Sequence, residues 1–137
     1  MNEKNLAKGI TKINRQRGFT LIELLVVVAI LGLLAALVGP RLFSKVDKAK
    51  FQTAKTQIGL FETALDSFRL DIGKYPDSLE TLVTDDGNEN WDGPYLKKNK
   101  IPNDPWGNEF HYQVEDNGKN YKIWSDGDGE KQINSWE

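Results

Sequence analysis

Three carboxylates crowd the end of the chain. Asp126, Asp128 and Glu130 alternate with Gly127 and Gly129 in a D-x-D-x-E spacing. Carboxylates on a glycine-rich loop are hard oxygen donors that suit a hard cation, and the same spacing equally suits an acidic turn in water. Other chemistry-bearing residues are sparse. His111 is the only histidine and there is no cysteine, so disulfides, thiolate metal sites and cysteine nucleophiles are excluded. No nucleophile, base and orienting acid form a set, and no glycine loop of the phosphate-cradling kind occurs. The four tryptophans are not clustered with basic residues, which leaves no stacking platform for nucleic acid. The chemistry therefore points away from an enzyme and away from a nucleic-acid partner.

One further acid stands alone. Glu23 is the single charge in the 20-residue run from Phe19 to Val38. At about 1.5 Å per residue a helix of that length covers roughly 30 Å, the hydrocarbon thickness of a bilayer. Residues 1–18 hold Lys4, Lys8, Lys12, Arg15 and Arg17 against Glu3, whereas the remainder holds thirteen basic and nineteen acidic residues. A basic head before an apolar run places the head in the cytoplasm. An ordinary secretory signal has an apolar core of roughly 7–15 residues with a small-residue cleavage site behind it. Here the run is longer and Gly18 stands in front of it. A charge at the centre of a membrane helix costs roughly 2.5–3.5 kcal/mol on insertion scales. Near the cytoplasmic end that cost falls, and Glu23 either snorkels to the headgroups or meets an opposite charge.

The elements that position these groups follow from periodicity. Ala54, Ile58, Phe61, Leu65, Phe68 and Ile72 recur at four- and three-residue steps, one stripe of an amphipathic helix. Gly39-Pro40 interrupts the pattern, as a bend in one helix from about Phe19 to Ile72 or as a plain helix end at Val38. Gly73 and Pro76 stop the helix. Asp77 or Ser78, with Glu80, reads as a capping box for a short helix that turns Leu79, Leu82 and Val83 inward. Residues 84–93 form a polar loop. Phe110, Tyr112 and Val114 alternate with polar residues as a strand, Asn117-Gly118 turns the chain, and Tyr121–Ser125 returns it. In Ile101-Pro102-Asn103-Asp104-Pro105-Trp106-Gly107, the two prolines stiffen a loop. Asp104 can bond nearby amides, and Trp106 can anchor the loop to the head.

The junction Arg17-Gly18-Phe19-Thr20-Leu21-Ile22-Glu23, followed by a long apolar helix, resembles the class III leader junction of type IV pilins and pseudopilins. Residues 101–107 resemble the L-P-x-D-P-W-G segment of major pseudopilins of type II secretion systems. Gly73-Lys74-Tyr75-Pro76 and the tail at residues 125–136 agree, so the resemblance spans essentially the whole chain. It implies an α+β, type IV pilin-like fold, with a long N-terminal helix packed on a small antiparallel sheet. It divides the chain into a cleaved cytoplasmic leader (1–18), a transmembrane and filament-core helix (19–39), an amphipathic continuation (40–73) and a periplasmic head (74–137).

The resemblance also implies roles. A prepilin peptidase would cut after Gly18 and methylate Phe19. Glu23 would neutralise the N-terminal amine of a neighbouring subunit, and Pro40 would mark where the helix opens in assembled filaments. Asp104, Pro105, Trp106 and Gly107 would be a structural loop. Partners would be further copies of the chain in a helical filament, minor pseudopilins and an inner-membrane assembly platform. Asp126, Asp128 and Glu130 would contribute to a calcium site. This chain departs from the family pattern there: the loop is shorter, and a later pair of aspartates is missing. Two other readings remain, a major type IV pilin for adhesion or motility and a membrane-anchored periplasmic binding module. The D-P-W-G segment and the absence of a C-terminal disulfide pair weigh against the pilin. No visible pocket chemistry supports the binding module.

Overall fold

The computed structural model describes residues 17–137. The basic residues Lys4, Lys8, Lys12 and Arg15 of the expected leader lie outside the described residues. The chain divides into two compact units at Pro40, the second being Arg41–Glu137.

One helix, α1 (Leu21–Ile72), runs for 52 residues with Pro40 inside it. A helix end at Val38 is therefore not what this chain adopts. Pro40 has no N–H to give to the carbonyl of Ala36, so one ladder bond is missing at that point. The stripe read from the sequence is the buried face: Ala54, Ile58, Phe61, Leu65 and Phe68 are buried, with Ala64 beside them. The helix stops at Gly73, whose φ of +93° suits a residue without a β-carbon. Its N–H donates to the Arg69 carbonyl at 2.7 Å, closing the last turn.

A short 3₁₀ turn follows at Leu79–Leu82. Leu79 and Leu82 are buried as the spacing predicts, and Val83 is half-buried. Ser78 is the cap residue by backbone geometry, yet its side chain makes no cap bond. The expected capping box is thus not formed, and a single 3₁₀ turn has little helix end to cap. The sheet is antiparallel, in the order β1 (His111–Glu115), β2 (Asn120–Ser125) and β3 (Ile133–Asn134). Tyr112 faces Ile123, and Val114 faces Tyr121. The connection is a tight turn with positive φ at Asp116, Asn117 and Gly118, one residue more than the Asn-Gly pair alone predicts. Strand β3 was not foreseen. It pairs through Trp124–Asn134 and Ser125–Ile133, and it brings Ile133 into the core.

Aromatic rings join helix to head. Phe61 meets Phe110 edge-on at 5.0 Å, and Phe68 meets Tyr95 at 5.4 Å. Tyr112 donates its hydroxyl proton to the Pro76 carbonyl at 2.7 Å. Burial pushes the Tyr112 hydroxyl well above the usual tyrosine range, and the Asp77 carboxylate adds to the shift. Burial does the same for Tyr121, reinforced by Glu62 and then Asp66. Both raised values mean that the fold favours the neutral phenols. Their contribution is full below the unfolded tyrosine value near 10 and falls as pH rises above it. The contribution of these two phenols should be constant up to about pH 9 and largely lost by about pH 12. Denaturant titrations across that range should show a shallower loss for Tyr112→Phe; equal slopes would contradict the assignment.

Candidate functional site

The first candidate site is the junction at the helix start. The Thr20 amide donates to Glu23 Oε2 at 3.1 Å, and the Glu23 amide donates to Thr20 Oγ1 at 3.2 Å. This is a reciprocal capping box, in which each side chain satisfies the other residue's orphan backbone donor. The T-x-x-E spacing carries that signal, which the reading of Glu23 as a lone charge within the membrane run does not use. Phe19 is 90% exposed, and the space around Gly18 is open. Gly18, Phe19, Thr20 and Glu23 thus form a short accessible segment at the head of an exposed apolar helix.

The second candidate site joins the loop at residues 101–108 to the tail. Asp104 is buried. Its Oδ1 accepts from the Trp106 amide at 3.1 Å and the Asn108 amide at 2.8 Å. Its Oδ2 accepts from Ser125 Oγ at 2.6 Å, and Ser125 Oγ accepts in turn from the Gly127 amide at 3.0 Å. Trp106 packs edge-on against Phe51 of α1 at 5.0 Å. Gln57 Nε2 donates to the Asn103 carbonyl at 3.0 Å. Gly107 has a φ of +87°, and its amide closes the turn onto the Asp104 carbonyl at 3.0 Å. The spacing of the loop showed Asp104 and Trp106 as turn and anchor residues. It could not show Ser125, which lies 21 residues away in sequence.

Two of the three tail acids, Asp126 and Asp128, take separate partners, and Glu130 is exposed. Asp126 Oδ2 lies 2.7 Å from His111 Nε2, and the His111 ring stacks on Trp124 at 5.2 Å. Asp128 Oδ1 accepts from the Lys131 and Glu130 amides, both at 3.0 Å. Those two bonds, the Lys131 amide first, hold the Asp128 carboxyl below the usual carboxylate range.

Residues 41–135 match the family described as type II secretion system (T2SS), protein G. The chain belongs to this family. Residues 13–39 match the prokaryotic N-terminal methylation motif. The chain is 45% identical over 108 residues to the type II secretion system core protein G of Vibrio cholerae, covering 74% of this chain and 73% of that one. It is 50% identical over 107 residues to the protein of the same description from Pseudomonas aeruginosa, covering 72% and 73%. The structure is similar to the crystal structure of the major pseudopilin from the type 2 secretion system of enterohaemorrhagic Escherichia coli. The TM-score is 0.58 at 27% identity, over 71% of this chain and 95% of that one.

Calcium is the ion that the sequence resemblance implies for the tail. The donors do not fit it as they stand. Among the described residues no three histidine or carboxylate side chains converge to hold an ion. Calcium takes six to eight oxygens at about 2.3–2.6 Å, whereas Asp126 and Asp128 are committed to different partners. The strong polar constellation of this protein G head is Asp104 with Ser125. Hydrogen bonds to a charged group are worth about 1.5–3 kcal/mol each. Asp104→Ala should therefore destabilise the head by about 3 kcal/mol or more, read as a shift in urea midpoint. A loss below about 1 kcal/mol would mean that the amides and Ser125 find water as readily as Asp104.

Proposed function

We propose that this chain is the repeating subunit of a periplasmic pseudopilus that drives protein export through a type II secretion system. The observation that carries the reading is an exposed, nearly uncharged helix half joined to a compact head. Fourteen large apolar side chains between Phe19 and Val38 are solvent-exposed in the single chain. At about 1.5–3 kcal/mol per fully buried side chain, covering even half of that surface is worth on the order of 10–20 kcal/mol. Such a segment belongs in lipid or against other helices of the same kind. The helix has an 18-residue window of mean hydropathy 3.0, none of it buried within the chain.

The steps then follow from the junction. The apolar segment holds the subunit in the inner membrane, with the head in the periplasm. A prepilin peptidase cuts after Gly18 and methylates the new amine of Phe19. The amine released beside Thr20 gives Glu23 of an adjacent subunit an opposite charge, and so fixes the axial step between helices. Minor pseudopilins and an inner-membrane assembly platform are the further partners. The role is structural rather than enzymatic. Ser125 Oγ is bonded to Asp104 and His111 faces Asp126, so neither is aligned with the other as nucleophile and base.

The mature chain should begin with N-methyl-Phe19, as read by intact mass and N-terminal sequencing. Gly18→Leu should keep its basic leader, because a peptidase that reads the open backbone at this position meets a bulky side chain instead. Normal maturation of the Gly18 variant would contradict the junction assignment.

A further inference from the structure

The tail loop, residues 126–132, is pinned at both ends. At its start Ser125 is fully buried and bonded to Asp104 at 2.6 Å. At its finish Ile133 is buried and paired with Ser125 across the sheet, and the Ser135 amide donates to the Ile123 carbonyl at 3.0 Å. Its interior is filled by the chain itself. Gly127 sits at φ +62°, and a β-carbon there would collide with the Lys131 carbonyl. The Gly129 amide donates to the Asp126 carbonyl at 3.1 Å, so that carbonyl already has a donor.

A divalent ion in such a loop would do two things: relieve repulsion among the acids and tie the loop to the head. We propose that in this chain the protein's own groups do both, and that the tail closes without calcium. Asp126 is tied to His111, which is itself stacked on Trp124. Asp128 is tied to two amides of its own loop. The Lys131 ammonium lies 5.7 Å from the centre of the Phe51 ring, a cation–π contact that ties the tail loop to α1 by a positive charge of the chain itself. The arrangement holds the tail through a covalently attached cation, whose local concentration does not vary with the ions of the compartment. The family reading enters only in naming calcium as the ion displaced. Filament assembly plays no part in the test.

The test uses the full mature chain in detergent micelles. Thermal unfolding is followed by circular dichroism in millimolar calcium chloride and in chelator, with calcium alone titrated calorimetrically. The melting midpoints should agree within about 1 °C, whereas an ion bound at a hundred-fold excess over its Kd would raise the midpoint by on the order of 10 °C. The titration should give no saturable heat. His111→Ala with Lys131→Ala should lower the midpoint by several degrees in both buffers and make the tail more sensitive to protease. A saturable calcium-dependent rise in the parent chain would overturn the proposal. So would an unchanged midpoint and unchanged protease resistance in the double variant, because the loop would then be held by something other than these groups.

Discussion

A carboxylate in the otherwise uncharged stretch of α1 up to Pro40 is the constraint on which the rest depends. Glu23 stands in a segment that is too apolar to remain in water. Once that segment is in lipid or among other helices, a charge is tolerable only beside a partner. In the single chain the partner is local: the Thr20 amide donates to Glu23, and the helix N-terminus itself favours an anion. In the proposed filament the partner is the amine of a neighbouring Phe19. The two arrangements use the same few atoms at the head of α1. The local cap holds the acid in the single chain, and in the proposed filament the exchange for a full positive charge would set the position of one subunit against the next.

The head answers a different requirement. The second half of α1 has an apolar stripe, and a three-stranded sheet with few residues must cover it. Small domains bury a modest fraction of their surface, so fixed polar joints matter. Asp104 is the principal one. It gathers its own loop through two amides and reaches the end of β2 through Ser125. Trp106 on Phe51 and Gln57 on Asn103 bring the same loop to the helix. The D-P-W-G segment thus joins three parts of the head that are far apart in sequence: helix, loop and tail.

What the sequence made legible was what is local or periodic. The stripe from Ala54 to Phe68 was readable because burial repeats with the helix turn. The stop at Gly73 and the hairpin between Val114 and Tyr121 were readable from residues with special backbone freedom. Strand β3 was hidden because two residues carry no alternation, and its pairing with Ser125 is set by the loop that returns it. The Asp104–Ser125 bond was hidden for the same reason. In the tail, local spacing said nothing of direction: Asp126, Asp128 and Glu130 are close in sequence, and the backbone sends Asp126 to His111 and folds Asp128 onto its own amides. Proximity in sequence puts carboxylates near one another; it does not aim them at one point.

In the proposed filament Glu23 acts through its charge, between subunits. Glu23→Gln keeps the side chain's size and leaves the apolar run intact, so it separates insertion from assembly. Membrane fractionation should find the variant inserted at the level of the parent chain, while cross-linking in the periplasm should recover little or no filament and secretion should fall with it. A Glu23→Gln chain that assembles filaments and supports secretion at the parent's level would contradict the claim.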